Sequence, residues 1–345
     1  MIDKKYCMNS YLTYRYIVDE NKSFSDEIIP HYYNSSSKRI EVLDSGDTLE
    51  NIKRTINDTF SSKGSTALML SGGIDSAILA RLVPKGTKAF TFQPDLQESV
   101  SEVEIAREVA KMNELDHEVI KISWDDYDSS IDSLMTQKGA PIHSIEPQIY
   151  KAASVAKNMG YEKLLFGEAA DAVFGGLSGL LSKDYTIEEF YKRYSFVDSE
   201  LVLKDFQKII SPIKAYETNS EVDVHGFLNE VFFKESNSSY ENACNLAGIE
   251  FISPFNKLIM KKPLDLERVR NGENKYILRE IYNDLYPGVT PRPKLPMPRP
   301  VNEFFKNWGG PTRDEFRSDI EITNFTGDQK WMIYCLERFL NLFNL

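Results

Sequence analysis

The sequence predicts an α/β fold in which helices cover a parallel sheet, with a mainly helical C-terminal region and a small N-terminal β element. Between residues 65 and 176, apolar runs of strand length alternate with segments whose apolar residues recur at helical spacing. Strands that alternate with helices form right-handed crossovers, which give a parallel sheet covered on both faces. After Gly176 the strand patterns fade and helical spacing prevails.

Each predicted element rests on its own local pattern. Short apolar runs bounded by glycine, proline or polar residues indicate strands, and apolar residues three or four positions apart indicate helices. Upstream, two strand-like runs flank a polar turn, which favours a small antiparallel hairpin. The predicted strands are 66–70, 88–93, 117–123 and 163–166, the helices are 75–83, 99–113, 125–137 and 147–159, and the hairpin strands are 11–18 and 39–42.

The composition excludes several classes of function. The 345 residues carry a net charge of −11, whereas binding to nucleic acid needs a positive face. Apolar runs are too short to span a membrane and no export signal is visible, so we expect no membrane contact and a cytoplasmic location. The isolated Cys7, Cys244 and Cys335 agree with a reducing compartment and argue against a thiolate metal site. Four widely spaced histidines argue against zinc chemistry.

The first candidate site is the segment LMLSGGIDSA at residues 68–77, where an apolar strand ends in a glycine turn before a helix. Ligands of open parallel sheets bind beyond the carboxyl ends of the strands, and a helix N-terminus offers unpaired N–H groups to an anion. We therefore expect the amides of residues 71–73 and two serine hydroxyls to bind phosphate. The Asp75 carboxylate would repel that phosphate unless a cation such as Mg²⁺ lies between them. The alternative is an ordinary turn in which Asp75 caps the helix.

A second acidic, glycine-rich loop, FGEAADAVFGG at residues 166–176, also follows a predicted strand. The carboxyl ends of parallel strands meet at one edge of the sheet, so the two loops are expected to bring Asp75, Glu168 and Asp171 around a common point. Carboxylates beside a phosphate-binding turn indicate a site for Mg²⁺ and phosphate.

Together these loops resemble the synthetase half of the glutamine-hydrolysing asparagine synthetases and their relatives, the β-lactam synthetases and lasso-peptide cyclases. That family carries an SGGxDS pyrophosphate loop and a GExxDExFGG loop. The resemblance covers roughly residues 65–310. It includes further segments in the same order: Ser101-Glu102 ahead of His117, Gly248-Ile249-Glu250 before Ser253-Pro254-Phe255, Lys275-Tyr276-Ile277-Leu278-Arg279, and Pro291-Arg292-Pro293-Lys294.

The resemblance implies a PP-loop fold of the adenine-nucleotide α-hydrolase type and a reaction that uses ATP and Mg²⁺. In this family ATP activates a carboxylate as an acyl-adenylate, pyrophosphate leaves, and an amine attacks to form an amide. Asp75 and Asp171 are implied to hold Mg²⁺, and Glu168 to steer the amine or take its proton. Lys294 is the implied cation at the α-phosphate, although it could instead be a solvated lysine in a proline-rich linker. The implied nucleotide-binding residues are Leu70, Ser71, Gly72, Gly73, Asp75, Ser76, Phe92 and Gly167.

Three positions depart from the family pattern. Ala172 replaces the second acid of the second loop, Leu177 replaces an aromatic residue, and Asn256 replaces an aspartate. Because Ala172 removes a carboxylate that could hold a basic partner, we expect the choice of substrate or nucleophile to differ from that of asparagine synthetase.

The predicted organisation lacks a glutaminase domain. Glutamine-dependent members begin with a nucleophilic cysteine after the initiator methionine, whereas this chain has Ile2 and only about sixty residues before the first loop. We divide the chain into a small β-rich N-terminal segment at 1–60 and a synthetase domain at 61–345. Within that domain, residues 61–180 are the predicted nucleotide-binding core and residues 181–345 the helical, substrate-side region.

The predicted function is an ATP-dependent ligase whose substrates are a small-molecule or peptide carboxylate and an amine or ammonia. Intermolecular transfer and intramolecular lactam formation both remain open. PP-loop thiolases are a second class, but they usually need paired cysteines and a basic RNA-binding surface. A non-catalytic nucleotide-binding subunit is a third hypothesis, which the departures at Ala172 and Asn256 keep open. A partner protein from the same pathway is compatible with each, and the apolar stripe at 331–345 is predicted as core or, alternatively, as a homodimer surface.

Overall fold

The structure is a computed structural model that describes residues 1–34, 38–95, 100–292 and 300–345. Within these ranges, no helix combines the length and the apolar character that crossing a membrane requires.

A five-stranded parallel sheet forms the centre of the fold and confirms the predicted fold class. Its order is β4-β3-β2-β5-β8, and all four strands predicted from the alternating region belong to it. Because β2 and β5 are neighbours, the loops that follow them leave the same edge of the sheet side by side. The strands are β1 Ile40–Val42, β2 Thr66–Met69, β3 Lys88–Pro94, β4 Asp116–Ile122, β5 Lys163–Leu165, β6 Glu217–Thr218, β7 Glu221–Val222, β8 Glu250–Ile252 and β9 Leu258–Met260.

Helices cover both faces of this sheet, as predicted. The described helices include those expected at 75–83, 125–137 and 147–159, and the helix expected at 99–113 is described from Val100 onward. A five-residue π-helical turn, Leu228–Phe232, leads directly into α11. The helices are α1 Lys4–Tyr14, α2 Ser45–Ser61, α3 Ile74–Leu82, α4 Val100–Met112, α5 Trp124–Lys138, α6 Glu146–Asn158, α7 Ala170–Val173, α8 Ile187–Tyr194, α9 Ser211–Lys214, α10 Val224–Phe227, α11 Phe233–Ala247, α12 Leu266–Arg270, α13 Tyr276–Leu285, α14 Val301–Phe304 and α15 Gly327–Leu342.

The sheet separates two layers of buried residues, because successive side chains of a strand point to opposite faces of the sheet. In β2 and its continuation, Ala67 and Met69 face one layer, whereas Leu68 and Leu70 face the other. The first layer is completed by residues of α1, α5, α6, α11 and α15, and the second by residues of α2, α3, α4 and α13. Trp331 and Phe339 of α15 are completely buried, which confirms the prediction that the C-terminal stripe is core.

The N-terminal segment corrects the prediction of a β hairpin. The predicted strand at 11–18 lies partly in α1, which begins after the capping residue Asp3 and ends at Tyr14. The second predicted strand exists as β1, but it pairs in parallel with β9. Residues 7–14 of α1 are all buried, so tertiary packing overrides the strand propensity of their aromatic and β-branched side chains.

The C-terminal region is also less purely helical than expected. β8 is the fifth strand of the central sheet and pairs in register with β5, with Leu164 opposite Phe251. The short hairpin of β6 and β7 adds a second strand pair to this region. The division at residue 180 stays a prediction, but the sheet itself extends across it.

Candidate active site

Two loops meet at the carboxyl edge of the sheet. The first joins β2 to α3, and the second joins β5 to α7. Their contact is close at Gly167, where a Cβ would lie 3.1 Å from the Cβ of Asp75 and 3.3 Å from the amide nitrogen of Ser76. The second loop therefore packs directly on the start of α3.

The first loop is held by its own two serines. The Ser76 hydroxyl donates to the carbonyls of Ser71 and Gly73, at 2.8 and 3.1 Å, and accepts from the Ser71 amide at 3.1 Å. The Ser71 hydroxyl accepts from the Gly73 amide at 3.2 Å and lies 2.9 Å from the Ser76 hydroxyl. The turn is therefore preformed. The Ser71 and Ser76 hydroxyls accept hydrogen bonds from loop amides that we expected to bind phosphate. Gly72 packs closely against α4, since a Cβ there would lie 2.8 Å from Ile105.

A buried lysine joins the two loops. Lys275 Nζ lies 2.5 Å from Asp75 Oδ2 and 2.8 Å from Asp171 Oδ1, and its side chain is only 5% exposed. Burial disfavours the charged ammonium, but the two carboxylates outweigh it and hold the pKa of Lys275 above its ordinary value. Lys275 precedes α13 with a φ of 54°, a left-handed conformation that is uncommon for a lysine. One aspartate from each loop therefore pairs with the same Lys275 ammonium group.

The glycine pair that ends the second loop makes room for this lysine. A Cβ on Gly176 would lie 1.9 Å from Asp171 Oδ1 and 2.2 Å from Lys275 Cε. Both distances are shorter than any real contact. A side chain at position 176 would therefore displace Asp171 or Lys275 from the ion pair.

Glu168 lines the same cavity as the two aspartates. Its Oε1 accepts a 2.7 Å hydrogen bond from the Ser236 hydroxyl on α11, and its carbonyl accepts one from Ser253, also at 2.7 Å. Burial raises the pKa of Glu168, although hydrogen bonds from Ser236, the Ala169 amide and Tyr240 lower it in part. Glu168 is therefore a carboxyl group that takes up a proton more readily than an exposed glutamate.

Most of the predicted site residues line a single cavity of about 560 Å³. Gly72 instead borders a smaller cavity of about 110 Å³, and Gly73 is the N-cap of α3. Lys294 lies outside the described residues. The predicted residues that line the larger cavity are Leu70, Ser71, Asp75, Ser76, Phe92, Gly167, Glu168 and Asp171.

Several residues of the site were not predicted. Lys275 stood in the KYILR segment, but the resemblance alone gave it no role. Glu102 stood in the Ser101-Glu102 segment of the resemblance, again without a role; it lines the cavity, and burial raises its pKa to about 7. No sequence pattern pointed to the others, because they come from elements that are distant in sequence from the two loops. They include Arg15, His143, Phe196, Phe232, Glu235, Ser236 and Tyr240.

Asp75 and Asp171 are suited to bind a divalent cation that phosphate oxygens coordinate as well. Their two carboxylates and the single ammonium of Lys275 leave one net negative charge. In the described part of the chain, no group of three or more histidine, cysteine, aspartate or glutamate side chains forms a metal cluster. Mg²⁺ usually binds one or two carboxylates and completes its octahedron with phosphate oxygens and water, so two aspartates are a sufficient protein contribution.

The parallel sheet and the two loops at its carboxyl edge define an α/β protein with a binding cavity beyond the ends of its strands. Residues 48–240 match the sequence profile of the asparagine synthase family, which is more than half of the 345 residues, and the protein belongs to that family. The match supports an ATP-dependent ligase of the asparagine synthetase family. No curated protein matches the sequence.

Two solved structures are similar to the chain. One is the U34-tRNA thiolase NcsA from Methanococcus maripaludis with its 4Fe-4S cluster, at 13% identity and a TM-score of 0.33, over 86% of this chain and 79% of the thiolase. The other is NAD+ synthetase from Burkholderia pseudomallei, at 13% identity and a TM-score of 0.25, over 70% of this chain and 89% of the synthetase. The family assignment rests on the sequence profile.

Proposed function

We propose that the protein adenylates a substrate carboxylate with ATP, releases pyrophosphate and transfers the acyl group to an amine or ammonia. The observation that carries this proposal is that Asp75 and Asp171 meet on Lys275 beside one cavity. An ordinary turn capped by Asp75 is a weaker explanation, because α3 is capped by Gly73 without a side-chain bond.

The first loop binds the polyphosphate in this proposal. Phosphate oxygens replace the Ser71 and Ser76 hydroxyls as acceptors for the loop amides, and both hydroxyls turn to donate to the same anion. Asp75 and Asp171 would hold Mg²⁺ on the side of the anion that faces the second loop. Bound there, Mg²⁺ would offset the negative charge that grows on departing pyrophosphate.

Glu168 receives the amine. The nucleophile is inactive as an ammonium ion, and a buried carboxylate with a raised pKa is suited to accept its proton. Ser236 and Tyr240 orient the carboxylate while the acyl carbon is attacked. In this proposal Glu168 is the general base of the second half-reaction.

Lys294 is proposed as the cation at the α-phosphate. The last described residues before it, Pro291 and Arg292, border the same small cavity as Gly72. The described chain therefore approaches the phosphate-binding turn at Pro291 and Arg292, which supports a role at the nucleotide for the segment that follows.

The buried cysteines favour this ligase over a thiolase. Cys7, Cys244 and Cys335 are free and buried, and burial raises the pKa of each thiol. None of the three lines the cavity that holds Asp75. A thiolase reaction at this site would need an exposed thiolate, and all three cysteines of the chain are buried.

Isotope exchange tests the proposal directly. Purified protein is incubated with Mg²⁺, ATP, labelled pyrophosphate and a panel of carboxylic acids. We expect one class of acid to support exchange of label into ATP, and AMP rather than ADP to accumulate when an amine is added. Asp75→Asn and Asp171→Asn should each reduce exchange by at least about 100-fold. Asp184→Asn is the matched control, because Asp184 pairs with Arg270 and is 57% exposed.

The results also separate the remaining alternatives. Product formation without any added amine identifies an intramolecular cyclase, and a requirement for ammonium identifies intermolecular transfer. Accumulation of ADP, or exchange that survives both aspartate substitutions, contradicts the mechanism. ATP binding without exchange for any acid favours a non-catalytic nucleotide-binding subunit.

A further inference from the structure

We propose that a buried polar cluster fixes the register of α11 and thereby positions the side chains that hold the Glu168 carboxylate. The cluster consists of Lys138, Glu146 and Asn242. None of the three is among the described residues that line the 560 Å³ cavity, so they act on the reaction only through the helix. The inference deepens the proposed function and rests on it, because Glu168 is the proposed general base of that reaction.

The cluster joins the ends of two helices to α11. Lys138 ends α5, Glu146 begins α6, and their side chains are 1% and 0% exposed. Lys138 Nζ lies 2.5 Å from Glu146 Oε1, and Asn242 Nδ2 donates to Glu146 Oε2 at 2.8 Å. Asn242 Nδ2 also donates to the Leu134 carbonyl at 3.1 Å, and the Asn242 backbone carbonyl accepts from Gln137 at 3.0 Å. These bonds give the second half of α11 one defined position.

The opposite end of α11 follows the π-helical turn Leu228–Phe232. The hydrogen bonds of a π-turn join residues five apart rather than four, so relaxation of the turn to an α-helix would move α11 by one residue. A slip of one residue rotates each side chain by about 100° around the helix axis, and Ser236 would then leave Glu168. The bonds of Asn242, at the other end, are what keep α11 in its present register.

In this register α11 presents hydrogen-bond donors to Glu168. The Ser236 hydroxyl donates to Glu168 Oε1 at 2.7 Å, and Tyr240, one turn further along the same face, also bonds to the carboxylate. Burial raises the pKa of Glu168, the bonds from Ser236, the Ala169 amide and Tyr240 lower it, and the neighbouring Asp171 charge raises it. Loss of the two bonds from α11 would therefore raise this pKa further.

A buried ion pair is better suited to specify a register than to stabilise a fold. Two charges that leave water lose hydration that their attraction barely repays, and an apolar pair of similar volume is often as stable or more stable. Apolar side chains accept neighbouring registers, however, whereas a one-residue slip would remove Asn242 from the Glu146 carboxylate. An apolar replacement of the ion pair should therefore keep the fold and release the register.

The double substitution Lys138→Met with Glu146→Leu tests this distinction in the full-length protein. We expect its urea midpoint to equal or exceed that of the wild type. The pKa of Glu168 should rise, because the bonds from Ser236 and Tyr240 are lost. This pKa is measured by NMR of carbon-13-labelled glutamate carboxyl groups, and Glu168→Gln assigns the signal.

The matched control is Lys88→Met. The Lys88 side chain is also nearly buried, at 10% exposure, and pairs with Asp116 and Glu118, but it lies in β3 and its partners in β4. This control should leave the titration of Glu168 unchanged. A double-mutant cycle with Ser236→Ala tests the connection itself. Ser236→Ala should raise the pKa of Glu168 in the wild type and add little in the double variant, where Ser236 has already moved.

Activity measurements give a second readout. Pyrophosphate exchange reports the first half-reaction, in which Glu168 has no proposed role, so the double variant should keep exchange within about twofold of the wild type. Amide formation at pH 7 should fall at least about tenfold, which is part of the contribution of a general base. The acid limb of its pH profile should move to higher pH, because a base with a raised pKa loses its proton at higher pH.

An unchanged titration of Glu168 in a folded double variant overturns the positioning role. An equal loss of exchange and amide formation, or a shift that Lys88→Met reproduces, also overturns it. If the double variant does not fold, Asn242→Ala decides in the same way, because it keeps the ion pair and removes only its link to α11. The NMR titration needs no substrate, so a wild type without exchange would refute the proposed function alone.

Discussion

Replacing Lys275 by methionine tests whether one ammonium holds the two acidic loops together. Removing one partner of a buried ion pair costs about 3–5 kcal/mol, because an uncompensated charge remains. The Asp75 and Asp171 side chains keep 15% and 27% exposure, so water offsets part of that cost. We therefore expect Lys275→Met to lower the free energy of unfolding by about 3 kcal/mol, near the lower end of this range.

The assay is urea unfolding followed by tryptophan fluorescence, with Lys85→Met as the matched control. Lys85 lies 2.5 Å from Glu114, the same distance as between Lys275 and Asp75, but both partners are more than half exposed. The control should lose less than about 1 kcal/mol. Millimolar Mg²⁺ should stabilise Lys275→Met more than the wild type, since a divalent ion replaces the missing charge. Equal stability losses in the two variants would refute the reasoning, and an absent Mg²⁺ effect would refute the fit of the two aspartates to Mg²⁺.

Two further perturbations test the geometry and the electrostatics of the site. A Cβ on Gly176 would overlap Asp171 and Lys275, so Gly176→Ala should cost about 1–3 kcal/mol in thermal unfolding, whereas Gly309→Ala, with open space around it, should be neutral. Burial raises the pKa of Glu102 to about 7, so the folded protein binds this proton more tightly than the unfolded chain does. Stability should therefore fall as pH rises from about 4.5 to about 7, by at most about 3 kcal/mol, and the fall should be smaller in Glu102→Gln. Parallel pH profiles of wild type and Glu102→Gln would contradict the burial argument.

The sheet could be predicted from the sequence because its strands carry local signals. Strands buried on both faces are short apolar runs, and the runs that became β2, β3, β4 and β5 are bounded by glycine, proline or polar residues. β8 was missed because its three residues lie in a region where helical spacing dominates. Its place at the edge is set by pairing with β5, a contact that no local pattern encodes.

The N-terminal helix was mistaken for a strand for a related reason. The sequence YLTYRYIV is rich in aromatic and β-branched residues, which favour strands. In α1 residues 7–14 are all buried, so the helix shows no polar face that would reveal a period of 3.6. Burial on all sides removes the pattern on which helix prediction depends.

The site was predictable only where its residues lie in contiguous loops. Asp75, Glu168 and Asp171 follow strands whose carboxyl ends meet, so parallel topology brings them together. The Lys275–Asp75 bond spans 200 positions and the Arg15–Glu235 bond spans 220. Such partners are chosen by the packing of helices that are distant in sequence, and a single sequence carries no record of that choice.

The shared lysine also explains how two acidic loops can lie side by side before any nucleotide arrives. Carboxylates this close repel each other strongly in a partly buried site, which would push the loops apart. The ammonium of Lys275 removes that repulsion, and the missing side chain at Gly176 lets it lie between them. Because one ammonium faces two carboxylates, these three groups together carry a net charge of −1, which is compatible with a divalent cation beside bound phosphate.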